Sequence, residues 1–459
     1  MKTTVSLTDG KIFSPLVRFA LPVLFALFLQ SMYGAVDLIV VGHFGVAADV
    51  SAVATGSQVL HTVTIVIMGF SMGLTVIVGR LIGAGKAEEA GIMIGRGIVL
   101  FAIIAAAASA LLVTLADPIA RVMRAPQEAF SRTVDYITIC GAGMVFIVAY
   151  NLVGSVFRGI GDSRMPLVTV AIACAINIAG DLFFVAVLGL GTAGAAYATV
   201  LAQAISVLLS LLIIRRRKLP FAFRLSMIRA DGKRFSQIFR LGIPIALQDL
   251  LVSLSFLVIT AIVNHIGLME SAGVGVASKL TAFVMLVPSA YMQSMSAFVA
   301  QNMGAEKPRR ARKALLYGIL SSLAVGVLMW YLHFFHGDMM ASIFARDPNV
   351  IAAAAEYLKA YAIDCLLTSF LFCFIGYFNG VGSTVFVMVQ GFVGAFCVRL
   401  PLAWLASNAR PVSLFRVGLS TPASTLTQII LCAVWFWHLL RKERAARLTD
   451  APPQDKIDA

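Results

Sequence analysis

Asp37 and Asp181 stand inside stretches that are otherwise apolar enough to cross a lipid bilayer, residues 32–40 and 177–185. An ionised carboxylate at the centre of a bilayer costs about 3 kcal/mol even on the gentler insertion scales, so such acids usually face a cavity or a pathway and act there. Two carboxylates can hold a hard cation through their oxygens. They can equally hold a proton, because a carboxyl group buried beside another carboxylate binds one readily. Asn177 comes four residues before Asp181, which puts it one helical turn away on the same face.

The elements that must position these groups follow from composition. Of 459 residues, 60% are hydrophobic and 13% are charged, against roughly a quarter charged in soluble proteins. A spanning helix needs about 20 mostly apolar residues. Such segments are predicted at 14–40, 51–76, 92–115, 131–155, 166–188, 193–214, 240–263, 271–298, 314–335, 351–375, 385–407 and 418–440. Open sheet edges cannot face lipid, and these segments are too long for barrel strands, so the fold class is an all-α polytopic membrane protein. The six cysteines all fall in apolar segments and read as small core hydrophobes.

The net charge of +14 would suggest nucleic acid in a soluble chain, but here the basic residues cluster in short runs between apolar segments. With the N-terminus inside, most of them fall on that same side, including Arg215–Arg240, Lys307–Lys313 and the tail. Arg121, Arg124, Arg132, Arg346, Arg410 and Arg416 fall opposite. The bias predicts both termini in the cytoplasm of a bacterial inner or plasma membrane, with lipid and no nucleic acid as partner.

The chain also repeats itself. Phe19-Ala20-Leu21-Pro22-Val23 matches Leu241-Gly242-Ile243-Pro244-Ile245. Gly83-Ala84-Gly85-Lys86 matches Gly304-Ala305-Glu306-Lys307, and Arg158-Gly159-Ile160-Gly161-Asp162-Ser163 matches Asn379-Gly380-Val381-Gly382-Ser383-Thr384. Six spans per half make this a parallel repeat, the pattern of secondary transporters that bind substrate between their halves. The organisation expected is an N-lobe at 1–214, a basic linker at 215–239, a C-lobe at 240–442 and a polar tail at 443–459.

In this order, and duplicated, these residues resemble the multidrug and toxic compound extrusion (MATE) transporter family across nearly all of residues 10–442. The carriers are Pro22 with Asp37, Gly42 and Gly45, then Gly83–Lys86, Phe157–Asp162, and Asn177 with Asp181. The resemblance implies twelve helices in two pseudo-symmetric six-helix lobes. It implies a secondary active multidrug efflux antiporter, acting as a monomer without cofactor, that exports small lipophilic cationic drugs in exchange for H+ or Na+ by alternating access. A DinF-like branch couples through an N-lobe site, and Asp37, Asn177, Asp181 and Thr199 match its positions. In the NorM type the acids lie on the seventh and tenth spans; Val252 and Thr368 stand at those places here, with Asp249 and Asp364 elsewhere on the same spans. A lipid-linked saccharide flippase is the alternative. It would need a large basic cavity, against which the scarcity of intramembrane Arg and Lys speaks.

Gln30, Met32, Tyr33, Tyr150, Asn151 and Gln203 are the polar or adaptable residues expected to line a substrate cavity. Asp249 is expected at the solvated inner end of its span, and His61 as a packed polar residue. Lys279 and Arg399 are intramembrane cations that either neutralise C-lobe acids or extend to the interface. Gly79–Lys86 has no Ser or Thr after its Lys and no strand before it, which excludes a phosphate loop. With no nucleophile–base pair and no metal-ligand spacing, an enzyme is not expected; a sodium ion at the acid pair is the one metal compatible with the reading.

Overall fold

The structure, a computed structural model, describes residues 7–216, 219–221 and 223–449, except for the side chains of Tyr33 and of 444–449. Arg217 and Lys218 of the linker and most of the expected tail lie outside the described residues. Among the described residues eleven helices are long and apolar enough to cross a membrane, and a bent pair supplies a twelfth. In chain order they are α1 (Phe13–Phe44), α2 (Ala47–Gly83), α3 (Ala87–Thr114), the bent α4 (Gln127–Ala142 with Met144–Ile160), α5 (Arg164–Val187), α6 (Gly191–Arg216), α7 (Gly232–Asn264), α8 (Leu268–Gly304), α9 (Pro308–Phe335), α10 (Pro348–Val381), α11 (Thr384–Asn408) and α12 (Leu414–Glu443). The sequence predicts α4 as one uninterrupted span; instead its two parts meet at 51°. The break falls at Gly143, where a Cβ would collide with the side chain of Val200 on α6.

Helix ends follow local chemistry. Asp231 caps α7 by accepting from the amides of Lys233 at 3.1 Å and Arg234 at 3.2 Å. The last eight positions of the stretch 215–239 are therefore helical, since α7 begins at Gly232. α4 and α10 both end on a left-handed glycine, Gly161 at φ +96° and Gly382 at φ +82°, a conformation that costs glycine nothing.

Each half lends the start of its first helix to the other. Leu16, Phe19, Ala20 and Val23 of α1 are buried in one core with Phe298 of α8, Leu315 of α9 and Phe378 of α10. Reciprocally, Ile238 of α7, with Phe235 and Phe239 beside it, joins the core that α2 and α3 share. The Phe70 and Phe239 rings meet edge to face at 5.5 Å. Lipid tails supply no hydrophobic drive between helices, so close packing of small residues holds such contacts. A Cβ on Gly73 of α2 would stand 3.1 Å from the Gly242 nitrogen of α7. The linker docks too: Phe221 is buried in the core that α2 and α3 share, and Arg96 Nη1 donates to the Met227 carbonyl at 2.7 Å.

At the opposite end Asp49 ties three elements together. Its Oδ1 accepts from the Thr192 hydroxyl at 2.7 Å and the Thr192 amide at 3.1 Å; its Oδ2 accepts from the Val46 amide at 3.1 Å and pairs with Arg132 Nη1 at 2.6 Å. Asp49→Ala strands these donors, at a cost of about 3 kcal/mol. The expected result is a lower thermal midpoint for detergent-purified Asp49→Ala than for Asp135→Ala, which alters another acid lining the same pocket. Equal midpoints would remove Asp49 from this role.

Candidate ion and substrate site

α5 lies between α1 and α6, and the three helices bring the four predicted coupling residues together. Asp37, Asn177 and Asp181 are 5%, 1% and 0% exposed. Asp37 faces the side chains of Asp181, Asn177 and Thr199, and Thr199 Oγ1 donates to Asp37 Oδ2 at 3.3 Å. Small residues permit this approach, since a Cβ on Gly180 of α5 would already stand 3.0 Å from Ala198 of α6. One Asp37 oxygen, both Asp181 oxygens and both polar atoms of Asn177 are buried without a hydrogen-bond partner in the protein. Two carboxylates, an amide oxygen and a hydroxyl form an oxygen-rich donor set that fits a hard cation or a proton.

Directly after Asp181, α5 widens into i→i+5 turns over Leu182–Val187, and α11 does the same over Val393–Arg399. Such turns frequently mark functional positions. In α11 the widening ends on Arg399, which stays buried. Its Nη1 donates to Ser255 Oγ at 2.9 Å, its guanidinium lies 4.4 Å from the Phe256 ring centre, and it faces Asp364. Thr368 is buried beside that acid, donating to the Asp364 carbonyl at 2.9 Å. The first half thus sets two buried acids, Asp37 and Asp181, against each other, and the second half sets the buried Asp364 beside a base. Lys279 is exposed on α8.

Gln30, Tyr150 and Asn151 share the wall of a cavity of about 30 Å³ between the halves, with Arg158 and, from α8, Gln293. Gln30 Nε2 donates to the Tyr150 hydroxyl at 3.1 Å, while the Asn151 amide bonds back to the Ile147 carbonyl at 2.9 Å. Met32 is half-buried on α1, and Gln203 is buried one turn beyond Thr199. The Tyr33 side chain lies outside the described residues.

Three expectations are corrected. Asp249 is half-buried well inside α7 rather than at its solvated end, because α7 starts eight residues earlier than its apolar stretch. His61 is exposed, not packed. Cys397 is exposed rather than a core hydrophobe, since the widened turn that carries Arg399 inward leaves it outside.

The MatE family profile matches this chain twice, at residues 22–183 and 244–405. This chain belongs to the MatE family. It is a membrane transporter, not an enzyme. It is 24% identical over 439 residues to the probable multidrug resistance protein YoeA of Bacillus subtilis, covering 94% of each chain. It is 27% identical to the FAD transporter of Shewanella oneidensis, covering 94% of this chain and 96% of that one. The fold matches the outward-facing conformation of a multidrug resistance MATE family transporter with a TM-score of 0.89 at 20% identity, covering 98% of this chain and 99% of that one.

The two MatE repeats grip each other at the linker end through equivalent contacts that side-chain identity alone conceals. Arg80 on α2 donates Nε and Nη2 to the Gly380 carbonyl at 3.3 and 3.0 Å. Gln301 on α8 donates Nε2 to the Gly159 carbonyl at 2.8 Å. The repeat offset relates Arg80 to Gln301 and Gly159 to Gly380. Gly83 backs onto the Gln301 backbone and Gly304 onto the Arg80 backbone, each too close for any side chain. The N-terminal segment straps over this junction. Leu7 is buried, Asn302 Nδ2 donates to its carbonyl at 3.0 Å, and Arg310 donates to the carbonyls of Leu7, Asp9, Gly10 and Lys11. Higher on α2, Gln58, His61 and Thr62 are exposed.

Proposed function

We propose that this protein is a secondary active antiporter that exports lipophilic organic cations in exchange for H+ or Na+, with residues 1–214 and 240–442 as its two lobes. The observation that carries the reading is the buried acid pair Asp37–Asp181, whose oxygens lack a basic partner while the C-lobe acid Asp364 has Arg399 beside it. A cation entering the pair changes the charge of the N-lobe alone, which gives the two lobes unequal roles. The reciprocal junction at the linker end supports alternating access, since it closes one end of the cleft by contacts that can be made and broken as a set. With linker and termini on the cytoplasmic side, as the basic residues suggest, this conformation is closed inward. The names of the relatives, multidrug resistance protein and FAD transporter, support small organic cargo.

The test is ethidium efflux from proteoliposomes with proton and sodium gradients imposed separately. Efflux is expected to follow at least one gradient and to vanish with both collapsed. Thr199→Val, which removes one neutral oxygen worth about 1 kcal/mol, is expected to slow the coupled rate about fivefold without abolishing it. Efflux indifferent to both gradients would sink the antiporter reading.

A further inference from the structure

We propose that Arg158 and the polar groups around it form an anion subsite at the base of the cavity between the halves, taking a carboxylate or phosphate carried by the exported molecule. The proposal rests on the export reading and adds to it a preference for cargo that also carries an anionic group. Arg158 lies in the second part of α4, and its Nε is buried with no hydrogen-bond partner. Its ionisable neighbour is the Tyr150 phenol rather than a carboxylate. Asp162, one turn on, directs Oδ1 at the amides of Arg164 at 3.0 Å and Met165 at 3.2 Å. Arg80 shows what an arginine with a structural task does here: it places two donors on one carbonyl. Arg158 has no such acceptor. Arg158 is half-buried, with its Nε sealed from solvent; such a guanidinium without a counter-charge is costly, and one facing a cavity has a ligand-binding reason to persist.

The surroundings complete the subsite. Tyr150 accepts from Gln30, which leaves the phenol proton free to donate into the cavity. Gln293 brings amide donors from the opposite half. Glycine at 154, one turn before Arg158, clears the guanidinium's path: a Cβ there would stand 3.3 Å from Nη1. The cavity volume of about 30 Å³ suits one or two water-sized groups, the scale of a charged head rather than a ring system. Gln30 precedes Asp37 by two turns, so the subsite lies about 10 Å along α1 from the acid pair.

Two probes share a scaffold and differ in the anionic group: norfloxacin, which carries a carboxylate, and its ethyl ester, which does not. Binding to detergent-purified protein, followed by drug fluorescence, is expected to weaken about tenfold for norfloxacin in Arg158→Gln, the loss of one charge-assisted hydrogen bond, with ester and ethidium affinities within twofold of wild type. Arg158→Lys should restore part of the loss. Flavin mononucleotide, which carries a phosphate, should weaken in parallel if phosphate is also accepted; an effect on norfloxacin alone assigns the subsite to carboxylates. Equal weakening of all probes, or unchanged norfloxacin binding, would overturn the proposal. Because binding is read without a gradient, failure of the antiporter reading would leave this result standing.

Discussion

Replacing Asp181 by Asn will abolish ion-driven efflux in a protein that still folds. The amide matches the carboxylate in shape, and the pocket around it is closed, so packing is kept. What disappears is one of the two charges available to the coupling cation. Breaking a buried charge pair by removing one partner costs roughly 3–5 kcal/mol. At 1.4 kcal/mol per tenfold, ion affinity should fall at least about 100-fold, below what a physiological gradient can drive. Stability should move the other way. Both Asp181 oxygens are buried without a protein hydrogen bond, and a neutral amide is cheaper to bury than a carboxylate, so the thermal midpoint should hold or rise. This opposes Asp49→Ala, where four contacts are lost and the midpoint falls while coupling persists. Gradient-dependent ethidium efflux in proteoliposomes together with the thermal midpoint separates the two. An Asp181→Asn variant that still follows an imposed gradient would remove the acid pair from coupling.

What could be read from sequence divides along physical lines. The spans were legible because bilayer thickness demands long apolar runs, and the two halves because Pro22 and Gly83 recur at Pro244 and Gly304. Asp37 and Asp181 were legible because an acid in such a run needs a reason. Contacts made by backbone atoms left no such mark. The junction equates Arg80 with Gln301, residues unlike in charge, since both need only donate to a glycine carbonyl. The strap at Leu7 was hidden because Arg310 binds main-chain oxygens, which every residue has. Asp49 and Arg158 sit near helix ends, where a charge is ordinary until its partners, or their lack, are known. Asp249 was misplaced because apolarity marks the bilayer rather than the helix, and α7 begins eight residues before its apolar stretch. The widened turns beside Asp181 and Arg399 depend on packing between helices, which hydropathy does not record.

The glycines of the junction carry the other large effect. Gly83→Leu and Gly304→Leu together will hold the linker end open and reduce efflux to background. A Cβ at either position would fall on main-chain atoms of the opposite half, Gln301 for Gly83 and Arg80 for Gly304, and main chain inside a helix cannot swing aside as a side chain can. The halves must separate instead. Overpacking of this kind typically costs 1–3 kcal/mol per site. Two sites acting on one equilibrium therefore disfavour the closed form by about 2–6 kcal/mol, enough to reverse a conformational preference of a few kcal/mol. Removing Arg80 and Gln301 side chains should act in the same direction but more weakly, because hydrogen bonds to water replace those lost. Spin labels at Glu88 and Arg309, exposed at the starts of α3 and α9, report the separation directly: the double glycine variant should show a longer distance distribution than wild type. Gly275→Ala, at a position where a Cβ meets nothing within 4 Å, should leave it unchanged. Were the labels to keep their wild-type distance while efflux fell, the junction would be a structural contact rather than a gate. If both distance and efflux stayed at wild-type values, the halves would move about some other seam, and the matched contacts of Arg80 and Gln301 would have to be relics of duplication rather than a device for closing the cleft.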